Sequence, residues 1–536
     1  MTHRTFLRGA AMIAIVAASY LSPQSAGAVQ VTAFQQAVAE NVSNDDQIAA
    51  FYRERGFEPI WTGGTDADLE RRTALLEALS VARYHGLPTS KYNTDALLSR
   101  MASVRSGFDR GSLEVALTEL YLDFARDLQT GVIDNPGSVR SEIVREIPLR
   151  ETRYYLDGLM SDAPRNFLAS LAPQSHEYAR LMKAKMRLEH EIARGGWGAV
   201  VPSGKYEPGD TGAGVVALRD RLIAMGYLER TVTARYDTSI TNAVRQFQED
   251  HGLVVDGVAG GSTLDQINTA PQDRLRSVMV AMERERWLNQ PGGLGQRHIL
   301  VNIADFQARI FDDGKLTFET RSVVGHQDRD RQTPEFSDEM DHMVINPSWY
   351  VPRSIIVNEY LPKLRNNPGA VSHIQITDSR GRVVSRNRSF AQYSGNSFPF
   401  AMRQPPGPRN ALGTVKFMFP NKYNIYLHDT PAKSLFSREV RTYSHGCVRL
   451  NDPHDFAYTL LARQTDDPVG FFQSRLRSGA ETRVNLDQPV PVHLIYRTAF
   501  THAKGHTQFR RDVYGRDAAI WNALSAAGVE IAGIRS

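Results

Sequence analysis

The eleven residues Arg441-Thr-Tyr-Ser-His-Gly-Cys-Val-Arg-Leu-Asn451 hold the only cysteine of a 536-residue chain. One thiol forms no disulfide within the chain, so Cys447 is buried and inert, paired with another chain, or reactive. A lone cysteine is most often inert, and its neighbours must overturn that. Gly446 allows a sharp turn with open access to the sulfur. Such a turn also aims backbone N–H groups outward, which suits a developing oxyanion. The thiolate is the nucleophile, so a reactive cysteine needs a base or positive surroundings. Two histidines are candidates: His445, two residues before it, and His428, upstream in Tyr423-Asn-Ile-Tyr-Leu-His-Asp-Thr430. In a strand, Ile425 and Leu427 go to a core, while Tyr426 and His428 share the opposite face and line a cleft. Asp429-Thr430-Pro431 ends that strand. The reading requires the sulfur to be ionised by a nearby imidazole.

The N-terminus bears on what a lone thiol means. Arg4 and Arg8 precede an apolar run, Ala10 to Leu21, and the small residues Ala26-Gly27-Ala28. This is the pattern of a cleavable export signal over residues 1–28. A retained anchor is the rival, although the apolar run is short for a membrane span. Cleavage lowers the net charge of +4 by two. That balance does not mark a nucleic-acid binder, which shows a basic stripe. With 41% apolar residues the chain can build ordinary cores.

Residues 29–200 read as a helical scaffold domain. Leu113, Leu117, Leu120, Tyr121, Phe124 and Leu128 fall on one helical face, with Gly131 just past its end. Leu75, Leu79 and Ala82 form another face that stops at Gly86 and Pro88. Nothing in this region has catalytic spacing. After a Gly/Pro-rich break, residues 206–270 form a compact unit. Val215, Leu218, Leu222 and Met225 make one stripe closed by Gly226; Ile240, Ala243, Val244 and Phe247 make a second; a short helix starts near Ser262. This order closely resembles the three-helix peptidoglycan-binding module, which implies a wall-binding role or a degenerate spacer.

From about residue 298 the period changes to two. His298–Ile303 alternates, and Gln307–Thr320 reads as a hairpin turning at Asp313-Gly314. Residues 341–352, 413–420 and 423–430 continue the strand signal. The long insertion at 350–412, rich in Gly, Pro and Asn, is a candidate lid. Residues 481–536 add a strand near 490–500 and a helix near 515–524, expected to pack on the scaffold or the catalytic domain.

The run His428-Asp-Thr…Ser444-His-Gly-Cys-Val-Arg-Leu450 resembles the L,D-transpeptidase signature. The wider stretches Asn346–Ile355 and Arg403–Phe436 resemble the large Gram-negative subgroup, which also carries a helical scaffold and a peptidoglycan-binding module. The resemblance implies a multidomain α+β architecture whose catalytic domain, 298–480, is mostly β. It implies Cys447 as nucleophile and His428 as base, oriented by the backbone carbonyl of Asp429, with His445 the minor alternative base. Ser444, His445 and Gly446 would shape the turn and its oxyanion hole. Arg449 would receive a substrate carboxylate or make a structural salt bridge. Tyr426 and Trp349 are substrate-wall candidates. Many family members carry Asn where this chain has Arg449, and that departure bears on substrate detail.

The implied reaction is a 3→3 peptidoglycan cross-link formed through a cysteine thioester, with D-alanine released from a stem tetrapeptide. The implied place is the periplasm, with stem peptides, glycan strands and other wall-synthesis enzymes as partners and carbapenems as acylating inhibitors. The alternatives are an L,D-carboxypeptidase, an enzyme attaching a protein to the wall, and a non-enzymatic wall-binding scaffold. No cofactor is implied, and one cysteine with scattered histidines lacks a zinc spacing.

Overall fold

The computed structural model describes residues 31–42 and 45–531; the expected signal, 1–28, lies outside them. The N-terminal helices, Ala33–Asn41 to His176–Ala193, share one apolar core. Its spine is the helix Gly107–Thr130. Ser106 and Asp109 cap the start reciprocally, and Gly131, at φ 100°, ends it. Leu113, Leu117, Tyr121, Phe124 and Leu128 are buried along it, and Leu120 is half-buried. Two later segments return to this core: the helix Pro271–Trp287, and C-terminal residues including Ala499, Phe509, Ile520 and Leu524.

Between them stands the small module, with helices Ala213–Met225, Thr238–Asp250 and Gly261–Ile267 around Val215, Leu218, Leu222, Ile240, Val244 and Phe247. Gly226 closes the first helix in the left-handed region. The module is tied down from outside. Asp250 accepts from Gln508 at 2.6 Å, and Glu439 contacts Val254 N and Ser262 Oγ, each at 3.3 Å.

The strands are β1 Arg297–Asn302, β2 Gln307–Asp312, β3 Lys315–Gly325, β4 Phe336–Ile345, β5 Trp349–Tyr350, β6 Gln375–Thr377, β7 Ala401–Gln404, β8 Val415–Met418, β9 Leu427–His428, β10 Thr442–Ser444, β11 Val448–Leu450 and β12 Thr482–Ile495. Nine of them form one sheet in the order β10-β3-β11-β9-β8-β4-β12-β1-β2, and a further β2–β3 pairing closes it. The β2–β3 hairpin turns at Asp313 and Gly314, both with positive φ. Strands β5, β7 and β6 form a separate small sheet in the inserted segment, whose own core includes Ile356, Leu364, Ile376, Phe390 and Met402.

One expected boundary moves. A catalytic domain ending at residue 480 would exclude β12, yet β12 pairs antiparallel with β4 and parallel with β1 in the interior of the sheet. The strand is therefore integral to the catalytic sheet; the helix after it, Arg516–Ala526, packs on the scaffold core.

Four buried charges join these parts. Arg284, from the helix Pro271–Trp287, lies 3.3 Å from Glu335 and 2.5 Å from Asp517. Arg516, fully buried, lies 3.1 Å from Glu335 and donates to the carbonyl of Thr333 at 2.7 Å. Removing one member leaves a buried partner under-compensated, which typically costs about 3–5 kcal/mol. Arg516→Met is expected to lower the unfolding free energy of the catalytic unit, taken from denaturant titration, by an amount in this range; an unchanged value would show that the cluster contributes no coupling.

Candidate active site

The sheet register assembles the site. Strand β9 lies between β8 and β11, with Lys416 opposite His428 and His428 opposite Arg449. Side chains opposite one another across a sheet share a face, so Lys416, His428 and Arg449 form a row across three strands. Two residues earlier on β9 and on the β11 chain, Tyr426 and Cys447 occupy the same face, next to that row. On the other face, Ile425 and Leu427 are buried in the sheet's core. The Tyr426 and His428 rings lie 5.6 Å apart.

His428 is buried, and its Nδ1 lies 2.5 Å from the carbonyl oxygen of Asp429. A carbonyl only accepts, so Nδ1 carries the proton and a neutral ring leaves Nε2 as an acceptor. The Asp429 carboxylate is occupied elsewhere: it accepts from Thr414 N and Oγ1 at 2.9 and 2.8 Å and from Lys433 at 2.9 Å. Burial alone would raise its pKa, but these partners hold it below the usual carboxylate range.

Cys447 is half-buried. Its thiol points to the carbonyl of Asn424 at 3.5 Å, and the backbone and side chain of Tyr426 act on the sulfur at close range, favouring its thiolate. Trp349, on β5 of the inserted segment, acts at close range on the Tyr426 hydroxyl and lowers its pKa against the rise caused by burial. The turn before the sulfur is held from behind. The Thr333 hydroxyl donates to the Gly446 carbonyl at 2.7 Å and accepts from Gly325 N at 2.8 Å. Gly446 sits at φ 107°, and a Cβ there would meet Ile425 Cδ1 at 2.9 Å. Ser444 is buried, its carbonyl accepting from His326 N at 2.8 Å. Among the described residues, the N–H groups of Gly446 and Cys447 donate to no other protein group.

His445 faces away from this network. Its Nε2 lies 2.5 Å from Glu359, on the wide π-helical turn Ile356–Tyr360 of the inserted segment. Arg449 makes no ion pair among the described residues, and its buried Nε has no partner, so the structural salt bridge weighed for it is not present. Lys416, Thr333, Asn424 and Glu359 were not visible as site residues in the sequence. Alternation along Gly413–Pro420 puts Lys416 and Met418 on one face, but only the register with β9 identifies that face as the site's.

The expected ionised sulfur is corrected by this environment. Burial pushes the Cys447 thiol up to about 11, against the lowering effects of Tyr426, Arg449 and Lys416. Burial, then the Arg449 charge, pushes His428 down to about 3. By these shifts the unliganded thiol and imidazole are both neutral near pH 7. Both shifts disfavour the charged forms, so moving the proton before substrate arrives is uphill.

Residues 296–470 match the sequence profile of the L,D-transpeptidase catalytic domain. The chain carries an L,D-transpeptidase catalytic domain. Residues 46–184 match a scaffold domain, and 211–267 match the profile described as "Putative peptidoglycan binding domain". A Haemophilus influenzae protein named "Putative L,D-transpeptidase" is 33% identical over 225 residues, 41% of this chain and 44% of the relative. The chain thus matches less than half the length of that relative. Crystal structures of L,D-transpeptidases from Xylanimonas cellulosilytica and Stackebrandtia nassauensis are 15% and 14% identical to it. Each match covers 55% of this chain, and 98% and 96% of theirs, at TM-scores of 0.17 and 0.23. Both Cys447 and His428 lie inside the L,D-transpeptidase domain.

The neutral pair sets a pH dependence. The rate at which iodoacetamide alkylates Cys447 is expected to rise about tenfold per pH unit from 7 to 10 and to level off only near 11. A plateau reached by pH 6 would mean a preformed thiolate–imidazolium pair.

Proposed function

We propose that the protein is an L,D-transpeptidase that forms 3→3 peptidoglycan cross-links through a thioester on Cys447. One observation carries the reading: the thiol lies beside a row in which His428, its Nδ1 fixed by the Asp429 carbonyl, is flanked by cations. The L,D-transpeptidase domain and the match to a peptidoglycan-binding module supply the substrate class.

In this reading the sulfur attacks the amide carbonyl after the L-centre of the third, diamino-acid residue of a stem tetrapeptide. As the S–C bond forms, the thiol proton passes to Nε2 of His428. The developing oxyanion meets the N–H groups of the Gly446–Cys447 turn. The C–N bond then breaks. An imidazole whose basicity is as low as that of His428 makes a strongly acidic imidazolium, which readily protonates the departing D-alanine amine. The thioester left on Cys447 is attacked by a side-chain amine of a neighbouring stem, and the cysteine returns as the thiol. Arg449, lacking a carboxylate partner among the described residues, receives a carboxylate of the donor. Tyr426 and Trp349 wall the site, and Tyr426 also holds the sulfur.

Segment 350–412 acts as a lid. It touches the nucleophile turn through Glu359 and His445, and Tyr426 through Trp349. Closure over the thioester would slow water relative to the acceptor amine. The reaction belongs in the periplasm, after export by the leader over residues 1–28. Among the described residues no helix is long and apolar enough to cross a membrane.

The test is to incubate the protein with disaccharide-tetrapeptides and identify products by mass spectrometry. Cross-linked dimer with equimolar D-alanine is expected. Tripeptide without dimer would make the enzyme an L,D-carboxypeptidase. Unchanged tetrapeptide, with no carbapenem adduct on Cys447, would leave only a wall-binding scaffold.

A further inference from the structure

Lys416 occupies one end of the site row, on the side of His428 away from Arg449. It is half-buried, and its ammonium lies 5.9 Å from the Tyr426 ring. Among the described residues it makes no ion pair and no hydrogen bond. Glu481, the carboxylate whose charge acts on it, is hydrogen-bonded to Ser348 at 2.6 Å instead. A half-buried ammonium is costly to leave without a counter-charge. The neighbours it does have compound this, because Arg449 on the same face has no carboxylate partner either. Two unpaired cations therefore bracket the imidazole, one on each side.

The order of the strands says what each cation meets. Neighbouring strands stand about 4.8 Å apart. Cys447 precedes β11, His428 ends β9 and Lys416 lies on β8, so the sheet presents nucleophile, proton carrier and ammonium in sequence. The substrate's atoms run in the same order. The scissile carbonyl carbon sits over the sulfur, and the amide nitrogen sits by His428, which must protonate it. The next charged group after that nitrogen, one carbon further on, is the carboxylate of the leaving residue. It falls on the β8 side, within reach of the flexible lysine stem.

We infer that Lys416 is a specificity-determining residue that binds the terminal carboxylate of the leaving D-amino acid, while Arg449 receives a carboxylate on the acyl side of the bond. This rests on the transpeptidase reading above and adds to it a requirement for a free carboxylate on the leaving group. Lys416 touches the substrate but exchanges no proton with it; its contact orients the scissile amide and selects a free acid over an amide.

The experiment compares a disaccharide-tetrapeptide ending in D-alanine with the same compound ending in D-alaninamide. The measured quantity is kcat/KM for release of D-alanine or D-alaninamide. A charge-assisted contact in a half-buried site gives the wild type a preference for the acid of about 10- to 100-fold. Lys416→Met should bring that ratio close to one, chiefly by loss on the acid, and Lys416→Arg should keep most of it. Iodoacetamide alkylation of Cys447 in each variant reports whether the thiol is still reached. A wild type without preference for the acid, or a Lys416→Met variant that keeps it, overturns the inference while leaving the transpeptidase reading intact. A wild type that releases neither product overturns the transpeptidase reading itself.

Discussion

The structure depends on a cluster of four buried charges that ties the scaffold, the catalytic sheet and the C-terminal helix together. Arg284 comes from the scaffold side, Glu335 from the chain before β4, and Arg516 and Asp517 from the last helix. Such clusters rarely add net stability, because desolvation offsets the Coulomb attraction. What they do well is fix geometry, since a partner moved away leaves a charge buried alone. Here the geometry continues outward to the chemistry. Arg516 holds the carbonyl of Thr333, and the Thr333 hydroxyl holds the carbonyl of Gly446, next to Cys447. A helix near the end of the chain thus sets the turn that presents Cys447.

The second constraint is the pairing of β8, β9 and β11. It places cations on both sides of His428 and removes the ring from water. Both effects disfavour the imidazolium, and burial disfavours the thiolate. The resting site is consequently quiet: a neutral thiol and a neutral base. The description of cysteine enzymes by a preformed ion pair does not suit it. In the proposed reaction proton transfer would be coupled to bond formation, and an anionic donor placed against the cations would reduce the cost of charging the ring. The same arrangement limits wasteful reaction of the sulfur in the absence of substrate.

What could be read from the sequence follows the range of the interactions involved. The helix Gly107–Thr130 was legible because its cap, its stripe and its terminal glycine are all local. The turn at Asp313-Gly314 was legible for the same reason, and so was the alternation that turns Ile425 and Leu427 inward and Tyr426 and His428 outward. Cys447 and His428 stood out through a signature whose residues lie close together in sequence. Lys416 did not, because an alternating strand does not reveal which face belongs to the site until its neighbour is known. Thr333 and Arg516 act from far along the chain and leave no local trace. Sequence order alone leaves open whether the strand β12 packs on the scaffold or the catalytic domain, and only the sheet shows it as an interior strand. The ionisation of the thiol is not legible in the sequence, because burial is a property of the folded site and no motif carries it.

The central claim is that Cys447 itself becomes acylated by the donor peptide. The most direct measurement is the intact mass of the protein quenched in acid during the first turnover with disaccharide-tetrapeptide, followed by digestion to locate the adduct. The account predicts a gain equal to the donor less one D-alanine, carried on Cys447 and removed by hydroxylamine, as a thioester should be. Turnover with no adduct at any time, or an adduct on another residue such as His445, would contradict it.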